Sequence, residues 1–240
     1  IIFTLFISLF VLSIIISLEY SLKKELNSNA KILLGGDLEI NTRNEKVNDE
    51  YLNQLKKLGD VSSTVEFSTM LADSKKQNAK TFFIRLKAVD DKYPLYGDVE
   101  SFPKDALNLL QKTPNSIVVN KKIFETLNLK TNDVVYIKQS PFKVVGYVET
   151  VPDLGRALLF GDFAIVSTNS FLKLNINTLG SFINYEYRLK AFNESLNIKD
   201  QVTNLTKKYP SYSVRFPENS SNNLKKLIDN FSQFLSLVSI

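Results

Sequence analysis

The chain has 240 residues, enough for one large domain or two small ones. It contains neither Cys nor His, which removes disulfides, thiolate chemistry and the commonest zinc, haem and general-base ligands. With 30 basic and 25 acidic residues the net charge is +5, and no long basic run or binding motif accompanies it. The charge therefore reads as a mixed solvated surface, and nucleic acid is not an expected partner.

Apolar residues crowd the two ends. The chain starts at Ile1 and stops at Ile240 inside an apolar run, so both ends read as cut from a longer protein. Residues 1–18, IIFTLFISLFVLSIIISL, carry no charge, no Pro and no Gly. The hydroxyls of Thr4, Ser8, Ser13 and Ser17 can bond back to helix carbonyls. About 20 apolar residues span a bilayer, and in lipid the backbone must satisfy its own hydrogen bonds. The run therefore predicts a transmembrane helix, shortened by truncation. A signal peptide has a shorter core, roughly 7–15 residues, and a small-x-small cleavage site; Leu18-Glu19-Tyr20 offers none.

Residues 19–35 continue the helix as a stalk. Leu18, Leu22, Leu26 and Ala30 recur every four residues and predict one apolar stripe, with Gly35-Gly36 as the stop. Residues 37–42 alternate Leu38 and Ile40 with polar side chains, a short strand. Asn48 caps a helix whose apolar face is Leu52, Leu55 and Leu58, and Gly59 ends it. Residues 61–72 and 81–89 form a hairpin around a polar turn. Phe82, Ile84, Leu86 and Ala88 point one way, Arg85 and Lys87 the other.

A helix near Ala106, a strand at 117–119 and a short helix with Ile123, Phe124 and Leu127 follow. Strands at 134–137 and 142–148 are joined by Ser140-Pro141. VPDLGR at 151–156 is a turn signal between two apolar strands. It reads first as a surface loop, with a partner-contact loop as the functional alternative. Residues 182–190 alternate strictly: Ile183, Tyr185, Tyr187 and Leu189 face the core, and Asn184, Glu186, Arg188 and Lys190 face the other side. A helix at 194–208 turns Val202 and Leu205 inward, and Tyr212, Val214 and Phe216 mark a last strand. Leu224, Leu227, Ile228, Phe231, Phe234, Leu235 and Val238 then share one helical face, as in a stalk returning to a membrane.

The flanking segments read βαββ and βαβ, which predicts an α+β fold with helices on one face of a sheet. Residues 98–180 interrupt it as an inserted subdomain. The neighbouring carboxylates Asp49-Glu50 and Asp90-Asp91 come with no metal-ligand pattern and read as surface. No nucleophile elbow and no Walker A pattern is present. The chain is not expected to be an enzyme; no cofactor is expected, and no residue is assigned a catalytic, cofactor-binding or metal-binding role.

Several segments carry a family resemblance: LLGGDLEI at 33–40, FSTML at 67–71, LKAVDDKYPLYGDV at 86–99, the turn at 129–133, and FKVVGYVETVPDLGRALLFGDFAIVS at 142–167. In these the chain resembles FtsX-like, MacB-like permeases of ABC transporters, the YbbP-type above all. Val151 stands where the family often has Glu before the Pro-Asp of its loop.

The resemblance implies a periplasmic core with a porter-like α+β part, 36–97 and 181–220, and an inserted sabre-like part, 98–180. Around it lie a transmembrane helix at 1–18, a stalk at 19–35, and a second stalk entering the next membrane helix at 221–240. It implies a multi-pass protein of the bacterial inner (plasma) membrane, with the central domain extracytoplasmic. The implied partners are a cytoplasmic ABC ATPase subunit, a second permease unit or second half of the same chain, membrane lipids and a periplasmic partner protein. The implied activity couples ATPase cycles to export or extraction of a lipid-like, lipoprotein or hydrophobic substrate. The alternative reading is a two-helix membrane sensor or receptor ectodomain.

Overall fold

A computed structural model describes residues 2–76, 78–153, 161–174, 176, 182–193, 197–220, 226, 229–230 and 232–233; within helices, the side chains at 2, 4–9, 11–12, 26–28 and 219–220 fall outside the description. The predicted helical face from Leu224 to Val238 therefore lies outside the described residues, as does the start of the helix expected at 194.

The chain enters through α1 (Ile2–Ser28), breaks at Asn29, and resumes as α2 (Ala30–Leu34). Among the described residues no helix is long and apolar enough to cross a membrane. Most of the apolar side chains of the 1–18 run are not among those residues. Of the predicted stalk stripe Leu18 and Leu22 are exposed and Ala30 is buried, the Leu26 side chain falls outside the description, and the side turned inward carries Ile15. On that side Lys23 Nζ lies 2.6 Å from Glu19 and 2.5 Å from Asp229. Every-fourth spacing locates a helix but does not by itself fix which side packs.

Beyond α2 come β1 (Leu38–Arg43), α3 (Asp49–Leu58), β2 (Gly59–Ala72), β3 (Thr81–Val89), β4 (Glu100–Phe102), α4 (Ala106–Lys112), β5 (Ser116–Asn120) and α5 (Lys121–Thr126). They are followed by β6 (Val134–Ile137), β7 (Ser140–Thr150), β8 (Phe163–Ser167), α6 (Thr168–Leu172), β9 (Asn184–Ala191), α7 (Ile198–Thr206), β10 (Ser213–Arg215) and α8 (Pro217–Ser220). The fold is α+β. Asn48 caps α3 as expected: its side chain accepts the Glu50 N–H at 2.7 Å, a contact worth about 1 kcal/mol in such positions. Tyr51 and Leu55 are the fully buried residues of α3, while Leu52 and Leu58 pack at the margin. The turn before β7 is not Ser140-Pro141, which already belong to the strand. It is Lys138-Gln139, both at positive φ, the conformation a tight hairpin between right-twisted strands requires.

The strands run in the order β10-β1-β9-β2-β3-β8-β5-β7-β4, and β6 pairs with both β7 and β2. The second pairing matters, because β2, β3, β8, β5, β7 and β6 thereby close a ring of hydrogen-bonded strands. Inside sit Phe67, Leu71, Ile84, Leu86, Val144 and Val166, all buried. A small closed sheet is filled by side chains and has no free edge within the ring. Each Leu, Ile or Phe buried there contributes about 1.5–3 kcal/mol. A second core lies under α3 and α7, with Leu38, Ile40, Tyr51, Leu55, Leu189 and Val202. A third lies under α4, outside the ring, with Val89, Tyr93, Leu110, Val118, Val148 and Ile165.

Candidate functional site

The joint between stalk and sheet is where this fold departs from what strand patterning alone dictates. At the end of α2, Gly35 adopts φ 77°, the left-handed conformation that ends a helix, and its N–H bonds back to the carbonyls of Lys31 and Ile32. A Cβ there would stand 2.7 Å from Cδ of Arg188 and 3.2 Å from Cβ of Asp153. Gly97, at φ 73°, stands likewise: a Cβ would meet Pro152 at 2.6 Å and Ile32 at 2.9 Å. The helix end, the 90–99 loop and the 151–153 loop therefore meet with no room for a methyl group between them.

Arg188 of β9 lies at the centre, 5% exposed. Its Nη2 is 2.6 Å from Glu186, 3.1 Å from Glu39 and 3.2 Å from Asp153. Nη1 donates to Thr64 Oγ1 at 2.8 Å, and Nε donates to the Leu34 carbonyl at 2.8 Å. That carbonyl is one of the groups a helix C-terminus leaves without an internal partner. The sheet thus holds the stalk by its last turn through one guanidinium fork.

Around this centre, Lys87 of β3 pairs with Asp153 and lies 3.3 Å from Glu66 of β2. Tyr93 donates to Asp153 at 2.6 Å, and the Lys87 ammonium sits 4.8 Å from the centroid of its ring. Arg215 of β10 pairs with Glu39. Asp37, just after the glycines, pairs with Lys31 of α2 at 2.9 Å and accepts from the Ala191 N–H at 2.9 Å and Tyr96 at 3.0 Å.

The electrostatics follow from burial and charge. Desolvation is the largest influence on Asp153 and raises its pKa, but the charges of Lys87 and Arg188 and the bonds from Lys87 and Tyr93 outweigh it. The carboxyl is held well below the usual carboxylate range. Glu186 follows the same pattern, with desolvation overcome by Arg188 and Lys87. In Asp37 desolvation is outweighed by the bonds from Ala191, Lys31 and Tyr96. Glu66 goes the other way: burial and the neighbouring Glu186 push it up beyond the pull of Lys87. Arg188 is raised well above its ordinary value, its desolvation more than offset by the carboxylates around it.

This arrangement joins elements of the stalk, the sheet and two loops. Among the described residues no group of three or more His, Cys, Asp or Glu could hold a metal ion. Sequence reading assigned none of these residues a role and placed Glu186, Arg188 and Lys87 on a polar face; all three are buried. Asp90, read as surface, accepts from Ser62 Oγ at 2.7 Å and Ser63 N–H at 2.6 Å and ties the base of the hairpin. Of the 151–156 loop, Asp153 lies in the site, and residues 154–156 lie outside the described chain.

The fold matches the periplasmic region of MacB from Actinobacillus actinomycetemcomitans with a TM-score of 0.53 at 14% identity, covering 83% of this chain and 98% of that one. The extracellular domain of the noncanonic ABC-type transporter YknZ from Gram-positive bacteria aligns at a TM-score of 0.47 and 13% identity, over 74% of this chain and 99% of that one. In sequence the chain is similar to the uncharacterized ABC transporter permease YbbP of Escherichia coli K12, 29% identical over 136 residues, 56% of this chain. The match spans 16% of that relative's length. No family model matches the chain. The resemblance to MacB-like, FtsX-like permeases, YbbP-type among them, holds in both sequence and fold.

Proposed function

We propose that the chain is the anchor and extracytoplasmic domain of an ABC transporter permease in a bacterial inner membrane, and that the joint at Gly35 carries movement between stalk and domain. Residues 1–18 are the membrane anchor, and 221–240 lead back to the membrane. The sheet ends carrying α3 and α7 form the porter-like part, 36–97 and 181–220; residues 98–180 form the sabre-like part. A cytoplasmic ATPase subunit drives the cycle, and a second permease unit or half faces this one. The substrate class is lipid-like, lipoprotein or otherwise hydrophobic, taken from the membrane, with lipids and a periplasmic protein as further contacts.

One observation carries the reading. The segments 33–40, 86–99 and 142–167, which bear the family resemblance, lie far apart in sequence and meet at one joint through Leu34, Lys87 and Asp153. A helix fixed rigidly into a sheet by a buried charge network transmits tilt, whereas a helix on a loose linker does not. Such coupling needs two states with different contacts. The exposed bridge of Lys23 to Asp229 ties the outgoing helix to the returning segment and is the contact suited to change.

The test breaks the rod and spares the joint. Leu22 lies within α1 with its side chain exposed. Leu22→Pro deletes a backbone bond and clashes with the preceding turn, at a local cost of about 3 kcal/mol or more. In the full-length permease with its ATPase, transport and substrate-stimulated ATPase activity should fall together while thermal melting of the outer domain stays unchanged. Transport that persists at wild-type rate would reduce the stalk to a tether. A second test concerns sidedness: reporters fused after Gly97 and Gly180 should be active only as periplasmic reporters, and cytoplasmic activity at both points would defeat the assignment.

A further inference from the structure

We propose that the joint binds one proton on the Glu66–Glu186 carboxyl pair, resident mainly on Glu66, and that losing it weakens the stalk's seat in the sheet. The inference deepens the joint described above and rests on that reading.

Among the described residues, four carboxylates, Glu39, Glu66, Asp153 and Glu186, are paired directly with three cations, Lys87, Arg188 and Arg215. A largely buried site tolerates an unbalanced charge poorly, and the cheapest remedy is protonation of the least-served carboxylate. The contacts identify it. Glu39 has both arginines, Glu186 has Arg188 at 2.6 Å, and Asp153 has Lys87, Arg188 and Tyr93. For Glu66 the contact is Lys87 at 3.3 Å, an ammonium held more closely by Asp153. Arg188 acts on Glu66 only through its charge, because its Nε, Nη1 and Nη2 are engaged by Leu34, Thr64 and the three other carboxylates.

Register explains why the two acids are close. On β2, Thr64 stands opposite Glu186 and Glu66 opposite Asn184, so Glu66 and Glu186 are diagonal neighbours on one face. Several charged and polar groups face Glu66 among the described residues. They are Lys87 from β3 with Arg85 one pair further along, Glu186 and Arg188 from β9, Asp153 from its loop, Tyr93 from the 90–99 loop, and Glu39 and Arg215 behind Arg188 from β1 and β10. Burial and Glu186 push the Glu66 carboxyl up, while Arg188 holds Glu186 down, so the pair titrates as two groups driven apart.

The sign is fixed by linkage. A carboxyl whose folded pKa is raised contributes stability below its unfolded value and loses it as pH rises through the folded value. Glu66→Gln copies the protonated state in shape and charge. The experiment follows thermal unfolding of the 240-residue chain in detergent micelles from pH 5 to pH 9, together with the infrared carbonyl band of a neutral carboxylic acid. The wild type should lose melting temperature as pH rises from the ordinary carboxyl range, about 4.3, through the folded value, and Glu66→Gln should flatten that limb and melt at or above wild type at its alkaline end. A neutral-acid band should persist in wild type above the ordinary carboxyl range and be missing there in Glu66→Gln. In Glu186→Gln, which removes the repelling neighbour, the band should vanish at lower pH than in wild type. A Glu66→Gln variant that is less stable than wild type at every pH, or an acid band unchanged by the substitution, overturns the proposal. Either result leaves the transport test with Leu22→Pro unaffected, so the two readings fail separately.

Discussion

Replacing Arg188 with Ala should cost the fold about 3–5 kcal/mol at neutral pH, the range found when one partner of a buried ion pair is removed. Arg188 is 5% exposed and spans three carboxylates, so the substitution leaves Glu39, Glu186 and Asp153 short of a shared counter-charge. The Leu34 carbonyl also loses its donor, and an unsatisfied buried acceptor adds to the penalty. The orphaned carboxyls can recover by taking up protons, so the loss should shrink as pH is lowered toward their ordinary range. Arg188→Lys keeps the charge but not the fork. One ammonium cannot reach the Leu34 carbonyl, Thr64 and three carboxylates together, so the lysine variant should fall between wild type and Ala. Urea unfolding of the chain in detergent measures all three. A loss below about 1 kcal/mol for Arg188→Ala would place the fork among surface ion pairs and remove the basis for treating it as the stalk's seat.

The reason this residue escaped a reading of the sequence is instructive. β9 alternates as strictly as a strand can, and strict alternation normally marks one wet face. Tyr187 and Leu189 behave accordingly and are buried under α3 and α7. Glu186 and Arg188 point the other way and are also buried, because the 90–99 and 151–153 loops cover that face. Loop placement depends on contacts between residues far apart in sequence, such as Lys87 with Asp153, 66 residues apart, which periodicity does not encode. The local elements were legible for the opposite reason. Asn48 and the 73–80 turn act on their own neighbours, and the β2–β3 hairpin needs only its own alternation. The closed ring was not legible. β6 contributes two registered pairs to β2, Leu71 with Ile137 and Ala72 with Tyr136, and nothing in either strand announces the other. One signal was available at the site: Glu66 and Lys87 lie directly opposite in the predicted hairpin, an opposite-charge pair between core-flanking positions.

Asp153→Asn should destabilise the chain at neutral pH and progressively less in acid. Asp153 is held below the usual carboxylate range, so its contribution is present above its unfolded value, about 3.9, and is lost as pH falls through the folded value. The difference between wild type and variant should therefore be largest near pH 7 and shrink only as pH falls below about 3.9. Its size at pH 7 has an upper bound of about 3–5 kcal/mol, for a broken buried pair, and the charge balance of the joint predicts less than that. With Asp153 neutral, three carboxylates face three cations, and Glu66 can ionise to restore the balance with Lys87, which lies 3.3 Å away. Glu66→Gln removes that escape. The double variant should thus be worse than the sum of its single effects, by the roughly 0.5–3 kcal/mol seen for directly coupled residues, even though Glu66→Gln alone is neutral or stabilising. Non-additivity of this sign is specific to a shared proton: a loss of packing at either position would add independently, and a simple ion-pair network would show the single Glu66→Gln change as a loss. Denaturant unfolding of the four proteins at pH 7.5 and pH 4 decides it. Additive effects at pH 7.5 would separate Asp153 from Glu66 and leave the loop anchored by Lys87, Arg188 and Tyr93.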